Sequence, residues 1–385
     1  MDLLPQEIVE AIINYADRNT IRKLALTARR YVSACRRTLF HQVHLIPDRD
    51  LSPNPGDRRT QRLVEILQKS PEVAQCIRDV LIDAGPNPSL NGSNLSRDKF
   101  LPLCIRLITS PHRVTFIAWG MSWKDLPQQL SNVLTTMIRR PTLRVCQFLV
   151  LWNIPISLFD NSEIHTLDLA EVSFTRSPEP VRFKEIRKLI RLLNLEYSIS
   201  GPLSLKDSPF GGSMQPPLFD FSSLQSLVLS TRSHRNPDIG TLLVECGQSL
   251  QSLTLSGVFE NRIDLSPLSR LQELTLGFLN DIDEPGFDGS QPLIATIETL
   301  NTLNITQLQR VYLCFTDDGI AMFNTETWNL LDTALLHAFQ NRGLLEAITI
   351  KFNIFNPESD LNGLKPEMVK LPICRGAGLL VHSVA

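Results

Sequence analysis

A chain of 385 residues is long enough for several domains or one extended repeat array, and its 38 Lys and Arg against 40 Asp and Glu give no reason to expect nucleic acid or an anionic membrane as partner. No apolar run reaches the roughly 18 residues needed to span a bilayer, and no apolar leader follows Met1, so the chain reads as soluble and intracellular, in cytoplasm or nucleus. Its seven cysteines (Cys35, Cys76, Cys104, Cys146, Cys246, Cys314 and Cys374) are odd in number and scattered, which fits reduced thiols buried as small hydrophobes and not a disulfide framework.

The first 45 residues differ in texture from the rest. Pro5 suits a first helical position, because its missing N–H would lack a partner there anyway. Ile8, Val9, Ile12 and Ile13 recur at helical spacing, and Asp17 is placed to cap a second helix carrying Ile21, Leu24, Ala25 and Ala28. A third helix is expected over about 30–39. Three helices this short bury too little to stand alone and need a support.

From residue 40 another pattern takes over. Leu224-Gln-Ser-Leu227-Val-Leu229, Leu250-Gln-Ser-Leu253-Thr-Leu255 and Leu271-Gln-Glu-Leu274-Thr-Leu276 are near-copies at spacings of 26 and 21 residues. They carry the leucine-rich-repeat strand signature, in which alternate residues of a short parallel strand point inward. Looser versions run upstream at Phe40-Val43-Leu45, Ile77-Val80-Ile82, Pro111-Val114-Phe116, Leu143-Cys146-Phe148, Ile164-Leu167-Leu169 and Ile190-Leu193-Leu195. Downstream they continue at Leu308-Val311-Leu313 and Leu345-Ile348-Ile350. Helices are expected between them at 62–69, 126–138, 241–246, 294–303 and 328–339, and Pro- and Gly-rich insertions at 83–97, 201–217 and 279–292. The fold class is therefore α/β: three N-terminal helices over 1–45, a linker at 46–59, and an irregular solenoid over 60–355 with parallel strands inside and helices outside. Residues 356–385 read as a cap or tail.

Residues 4–31, LPQEIVEAIINYADRNTIRKLALTARRY, resemble the F-box family through Leu4-Pro5, Glu7-Ile8, Ile12-Ile13 and Leu24-Ala25-Leu26. Tyr31 stands where that family usually has Trp, keeping a large aromatic with a polar tip. The stretch RTLFHQVHL, the Pro-rich gap and RLVEILQKSPEVAQCIRDVLI extend the likeness to F-box proteins with leucine-rich repeats of the kind abundant in mushroom-forming fungi. The resemblance implies a non-catalytic substrate receptor of a cullin–RING ubiquitin ligase, with the F-box docking a Skp-type adaptor and the repeats holding a protein substrate. Adaptor contacts would fall on Leu4, Pro5, Ile8, Ile12, Leu24 and Leu26, while Val9, Ile13 and Ala25 hold the helices together. The alternative is a repeat scaffold with no ligase link, its N-terminal helices serving only as a solenoid cap.

No residue pattern points to an enzyme, cofactor or metal. His41 and His44, three apart on a strand, are expected on opposite faces, which defeats chelation by the pair. The acidic loop at Asp281, Asp283, Glu284 and Asp288 lacks calcium-loop spacing, and Gly211-Gly212 lacks the strand and Lys-Ser/Thr of a phosphate loop. The basic run Arg22, Lys23, Arg29, Arg30, Arg36 and Arg37 reads as a solvated face or a contact for an acidic protein. Substrate contacts are expected on the concave sheet face, at Gln147, Asp168, Asn194, Val228, Thr254, Thr275, Tyr312 and Thr349, with Tyr312 as the aromatic anchor, or equally on the loops at 201–217 or 279–292. Trp119, Trp123, Trp152 and Trp328 are expected to pack.

Overall fold

The structure, a computed structural model, describes residues 5–27, 29–47, 59–85, 95, 98–175, 192, 194–199, 219–231, 239–257, 262–278, 290–303, 308–315, 325–340, 347–352 and 381–384. It is an α/β protein with parallel sheet and helices, and it divides into two compact units, Met1–Asp168 with Val172–Ile190 and Leu169–Glu171 with Arg191–Ala385.

The first unit opens with α1 (Gln6–Tyr15), α2 (Arg18–Thr27) and α3 (Arg29–Leu39). Pro5 is the N-cap of α1, one position earlier than expected, and its carbonyl accepts from the N–H groups of Ile8 and Val9. Asp17 caps α2: its Oδ1 accepts from the backbone N–H of Asn19 at 2.9 Å and of Thr20 at 3.1 Å. The Thr20 hydroxyl bond and these N–H groups hold its carboxyl below the usual range. Val9, Ile13, Ile21, Tyr31, Ala34 and Cys35 form the core between the helices, with Ala16, Leu24, Ala25 and Leu39 partly buried against it.

Then come β1 (Gln42–Leu45), α4 (Arg59–Lys69), α5 (Pro71–Cys76), β2 (Asp79–Asp83), α6 (Phe100–Leu107), β3 (Arg113–Ser122), α7 (Gln128–Ile138), β4 (Val145–Trp152), the two-residue β5 (Ile154–Pro155), β6 (Thr166–Ala170) and β7 (Phe174–Thr175). The sheet order is β1-β2-β3-β4-β6, while β5 pairs with β7 in a small parallel sheet of its own. Val43, Val80, Val114 and Cys146 share one register row, and Leu45, Ile82, Phe116 and Phe148 the next. All eight are buried beneath the helices, as the period of two demands of alternate strand residues. Helix α4 packs on α6 and α6 on α7. An aromatic chain fills the end of this core: Trp123 meets Phe148 edge-on at 6.5 Å, Phe148 meets Phe159 edge-on at 6.0 Å, and Phe159 meets Phe174 tilted at 6.3 Å.

Strand β1 pairs in register with β2, and Arg36 on α3 meets Glu72 on α5 at 2.6 Å, so the three helices belong to the same unit as the first strands.

The second unit contains β8 (Asn194–Ile199), β9 (Ser226–Thr231), α8 (Gly240–Cys246), β10 (Ser252–Gly257), β11 (Glu273–Phe278), α9 (Ser290–Asn301), β12 (Arg310–Phe315), α10 (Thr325–Gln340), β13 (Ala347–Phe352) and β14 (Val381–Val384), its strands paired in chain order. Leu227, Leu253, Leu274 and Val311 stack in register, as do Leu229, Leu255, Leu276 and Leu313. Between steps one carbonyl serves two donors: Gln225 accepts from the N–H groups of Gln251 and Ser252, Gln251 from Gln272 and Glu273, and Gln272 from Gln309 and Arg310. Residues 356–385, read as a cap or tail, contribute β14, which pairs parallel with β13.

One register expectation is corrected. Leu195 lies opposite Leu227 and Asn194 opposite Ser226, so the strand follows Leu192-Leu195-Tyr197 and not Ile190-Leu193-Leu195. Position 196, and not 194, shares the row of Val228 and Thr254.

Gly247 ends α8 where a Cβ would stand 2.4 Å from the Pro267 carbonyl oxygen, a backbone atom that cannot swing aside. Gly247→Ala is expected to cost about 1–3 kcal/mol, seen as a lower urea midpoint at unchanged slope.

Candidate functional site

Two surfaces combine exposed side chains suited to a partner. The first lies on α1 and α2. Val9 and Ile13 turn inward, which leaves Ile8 48% exposed, Ile12 51% and Tyr15 94% along one side of α1. On α2, Ile21 is buried while Leu26 is 88% exposed. Pro5 is exposed as well. A helix that covers its own core has no need of these apolar groups, and exposed apolar side chains in such number mark a contact surface. Leu24 differs from the others: it is half-buried against the three-helix core, because it faces inward with Ile21 and Ala25, so its first role is packing. Leu4 lies outside the described residues.

An ion pair joins two of these helices, and further contacts of α3 reach α5 or lie within it. Arg37 on α3 pairs with Glu10 on α1, whose carboxyl is held below the usual range by the Gln6 amide and then by Arg37. Arg36 is taken up by Glu72. The Arg30 guanidinium lies 4.6 Å from the centroid of the Tyr31 ring and donates to its hydroxyl. Arg22, Lys23 and Arg29 are exposed, so the basic run separates into residues that brace the helices and residues that face water.

The second surface is the sheet face that the helices leave open. In the first unit Thr115, Gln147 and Asp168 form a polar ladder across β3, β4 and β6: the Thr115 hydroxyl donates to Gln147 Oε1 at 2.9 Å, and Gln147 Nε2 donates to Asp168 Oδ2 at 2.5 Å. Gln147 and Asp168, singled out from the sequence, thus act as one hydrogen-bonded group. In the second unit Val228, Thr254, Thr275 and Tyr312 occupy one register row and are partly exposed, with Thr349 at the same position on β13; the Thr349 side chain lies outside the described residues. Asn194 is exposed but sits one row away. Beside Tyr312, Arg310 reaches Glu273 at 2.9 Å, and the Tyr312 hydroxyl, followed by Glu273, holds the guanidinium above its usual range.

Two tryptophans were missed by reading the sequence. Trp123 and Trp328 are buried as expected, whereas Trp119 and Trp152 are 41% and 47% exposed. Strand β3 bulges between Ile117 and Met121, where Trp119 has φ 53° and Gly120 φ 87°. The Trp119 indole N–H donates to Asp83 Oδ1 at 2.8 Å, and the Trp152 ring lies 3.6 Å from where a Gly120 Cβ would stand. The Trp-Gly pair inside an apolar strand was the available signal.

His41 and His44 are also corrected. His41 lies just before β1, outside the pleat, so strand alternation does not apply to it. It faces Asp79 at 3.8 Å, while His44 faces Asp83 at 3.8 Å. Among the described residues no group of three His, Cys, Asp or Glu could hold a metal, and no helix is long and apolar enough to cross a membrane. The acidic loop at 281–288 and Gly211-Gly212 lie outside the described residues.

Burial pushes the thiols of Cys104 and Cys246 up to about 12, and raises those of Cys35 and Cys146. Comparison with models of known protein families finds no match, and comparison with curated proteins finds none either.

An alkylating reagent at pH 8 is expected to label Cys76 and Cys314, both partly exposed, before Cys35, Cys104, Cys146 and Cys246, which should react only after unfolding. Peptide mass mapping of the labelled native chain checks the order.

Proposed function

We propose that the chain is a substrate receptor of a cullin–RING ubiquitin ligase, with α1 and α2 docking a Skp-type adaptor as an F-box and the open sheet face holding a protein substrate. The observation that carries this reading is the side of α1 and α2 that displays Ile8, Ile12, Tyr15 and Leu26 to solvent while Val9, Ile13 and Ile21 fill the core. A terminal cap on a stack of strand-and-helix units is expected to present a polar outer face, whereas α1 displays Ile8, Ile12 and Tyr15, and α2 adds Leu26 beside its exposed Arg22 and Lys23. The in-register strands of both units support the accompanying reading of leucine-rich repeats, for which the shared Gln225, Gln251 and Gln272 positions give the repeating step.

Each aliphatic anchor buried on docking contributes roughly 1.5–3 kcal/mol before ordering costs, so two removed together change affinity by orders of magnitude. Because Ile8 and Ile12 stand outside the helix core, replacing them should leave the fold intact.

In a pull-down with a Skp-type adaptor, Ile8→Asp with Ile12→Asp is expected to abolish retention without lowering the melting temperature. Ile13→Asp should instead unfold the helices. Full retention by the Ile8 and Ile12 variant, or no retention of the adaptor by the wild-type chain, would contradict the reading.

A further inference from the structure

We propose that the Trp119–Trp152 surface of the first unit is the anchor point for a cationic side chain, arginine or lysine, on an extended segment of the protein substrate. This rests on the receptor reading and names the chemistry of what the receptor holds.

Four observations converge. Two tryptophans are held out on neighbouring strands, Trp119 at the β3 bulge and Trp152 at the end of β4, where Met121 lies opposite Leu151 and Ser122 opposite Trp152. Such rings are otherwise among the more deeply buried side chains, and their faces attract cations. Second, the backbone is strained to place them: Trp119 and Val150 each have φ 53°, a left-handed conformation costly to residues with a Cβ, and strain of this kind gathers at binding sites. Third, a carboxylate lies beside the aromatic surface with capacity to spare. Asp83 Oδ1 accepts from Trp119 and from the Gly85 N–H, while among the described residues Oδ2 meets His44 at 3.8 Å, beyond hydrogen-bond reach, and Asp83 remains partly exposed. A guanidinium or ammonium stacked on the indole would find Oδ2 within the same site. Fourth, the charge of the open face is complementary to such a ligand. Its strands carry Asp79, Asp83 and Asp168 against Arg113, and Lys124 just beyond β3 is offset by Asp125 in the same turn.

The polar ladder of Thr115, Gln147 and Asp168 extends the site along the sheet, where it offers hydrogen-bonding groups to the backbone of an extended peptide. Half-buried Ile117 and Leu149 lie between the ladder and the tryptophans, in register with Asp83, and supply an apolar floor for the stem of a long side chain.

Panning a random heptapeptide display library on the full-length chain tests this. Selected peptides are expected to be enriched in Arg or Lys. Binding of a selected peptide, followed by isothermal titration calorimetry, should weaken at least fivefold in Trp119→Ala with Trp152→Ala. Asp83→Asn keeps a carbonyl for the Trp119 N–H but removes the charge, and it should erase the preference for Arg over norleucine. Peptides with no basic bias, binding indifferent to both variants, no selected peptide at all, or tryptophan-dependent binding to a glycan array in place of peptides would each overturn the proposal. Retention of the Skp-type adaptor is measured on the same variants and should be unchanged. A failure of the docking reading then appears as adaptor loss in the wild-type chain, independent of the peptide result.

Discussion

Strand side chains alternate strictly between two faces, and this period of two is the constraint on which the rest of the structure depends. Strands β1, β2, β10 and β11 give alternate residues to the core, and β3 and β4 do so until the bulge, after which the buried parity changes from Ala118 to Met121 and from Phe148 to Leu151. In the second unit Leu253 and Leu255 disappear beneath the helices, and Ser252, Thr254 and Ser256 are left on the open face. In the first unit Val80 and Ile82 are buried, and Asp79, Leu81 and Asp83 are left out. Parallel pairing in register then lines up equivalent positions from strand to strand, so a single residue choice becomes a row. The ladder of Thr115, Gln147 and Asp168 exists because three separate strands each place a polar residue at the same step.

The three N-terminal helices draw their support from that sheet. Their own core amounts to Val9, Ile13, Ile21, Tyr31, Ala34 and Cys35, too little for independent stability. Strand β1 follows α3 almost directly and pairs with β2, and Arg36 reaches Glu72. The ion pair itself adds little at an exposed site, and the chain runs on from α3 into β1, whose Val43 and Leu45 are buried. With the helices held this way, Ile8, Ile12, Tyr15 and Leu26 are released from packing and stay exposed.

Much of this was legible in the sequence. The apolar triplets at 43–45, 80–82, 114–116, 227–229, 253–255, 274–276 and 311–313 became buried, paired strands, and the helices between them formed within a few residues of the expected bounds. What escaped has physical reasons. The run Ile190-Arg-Leu-Leu-Asn-Leu195 offers two frames to a period-two pattern, and pairing with β9, which sequence alone does not reveal, selects the later one. Helix α6 is apolar almost throughout, so it has little periodicity to announce it. The two-residue strands β5 and β7 are too short to leave a pattern. The exposure of Trp119 depends on a left-handed backbone at the bulge, a conformational choice to which hydropathy is blind.

The proposed adaptor docking depends on the exposed Ile8, Ile12 and Leu26 of α1 and α2. Hydrogen–deuterium exchange of the full-length chain with and without a Skp-type adaptor tests it most directly. The proposed docking predicts slowed exchange across residues 5–27 on addition of the adaptor, with the strands of the second unit unchanged. Equal exchange in α1 and α2 with and without the adaptor, or protection confined to the sheet, would contradict it.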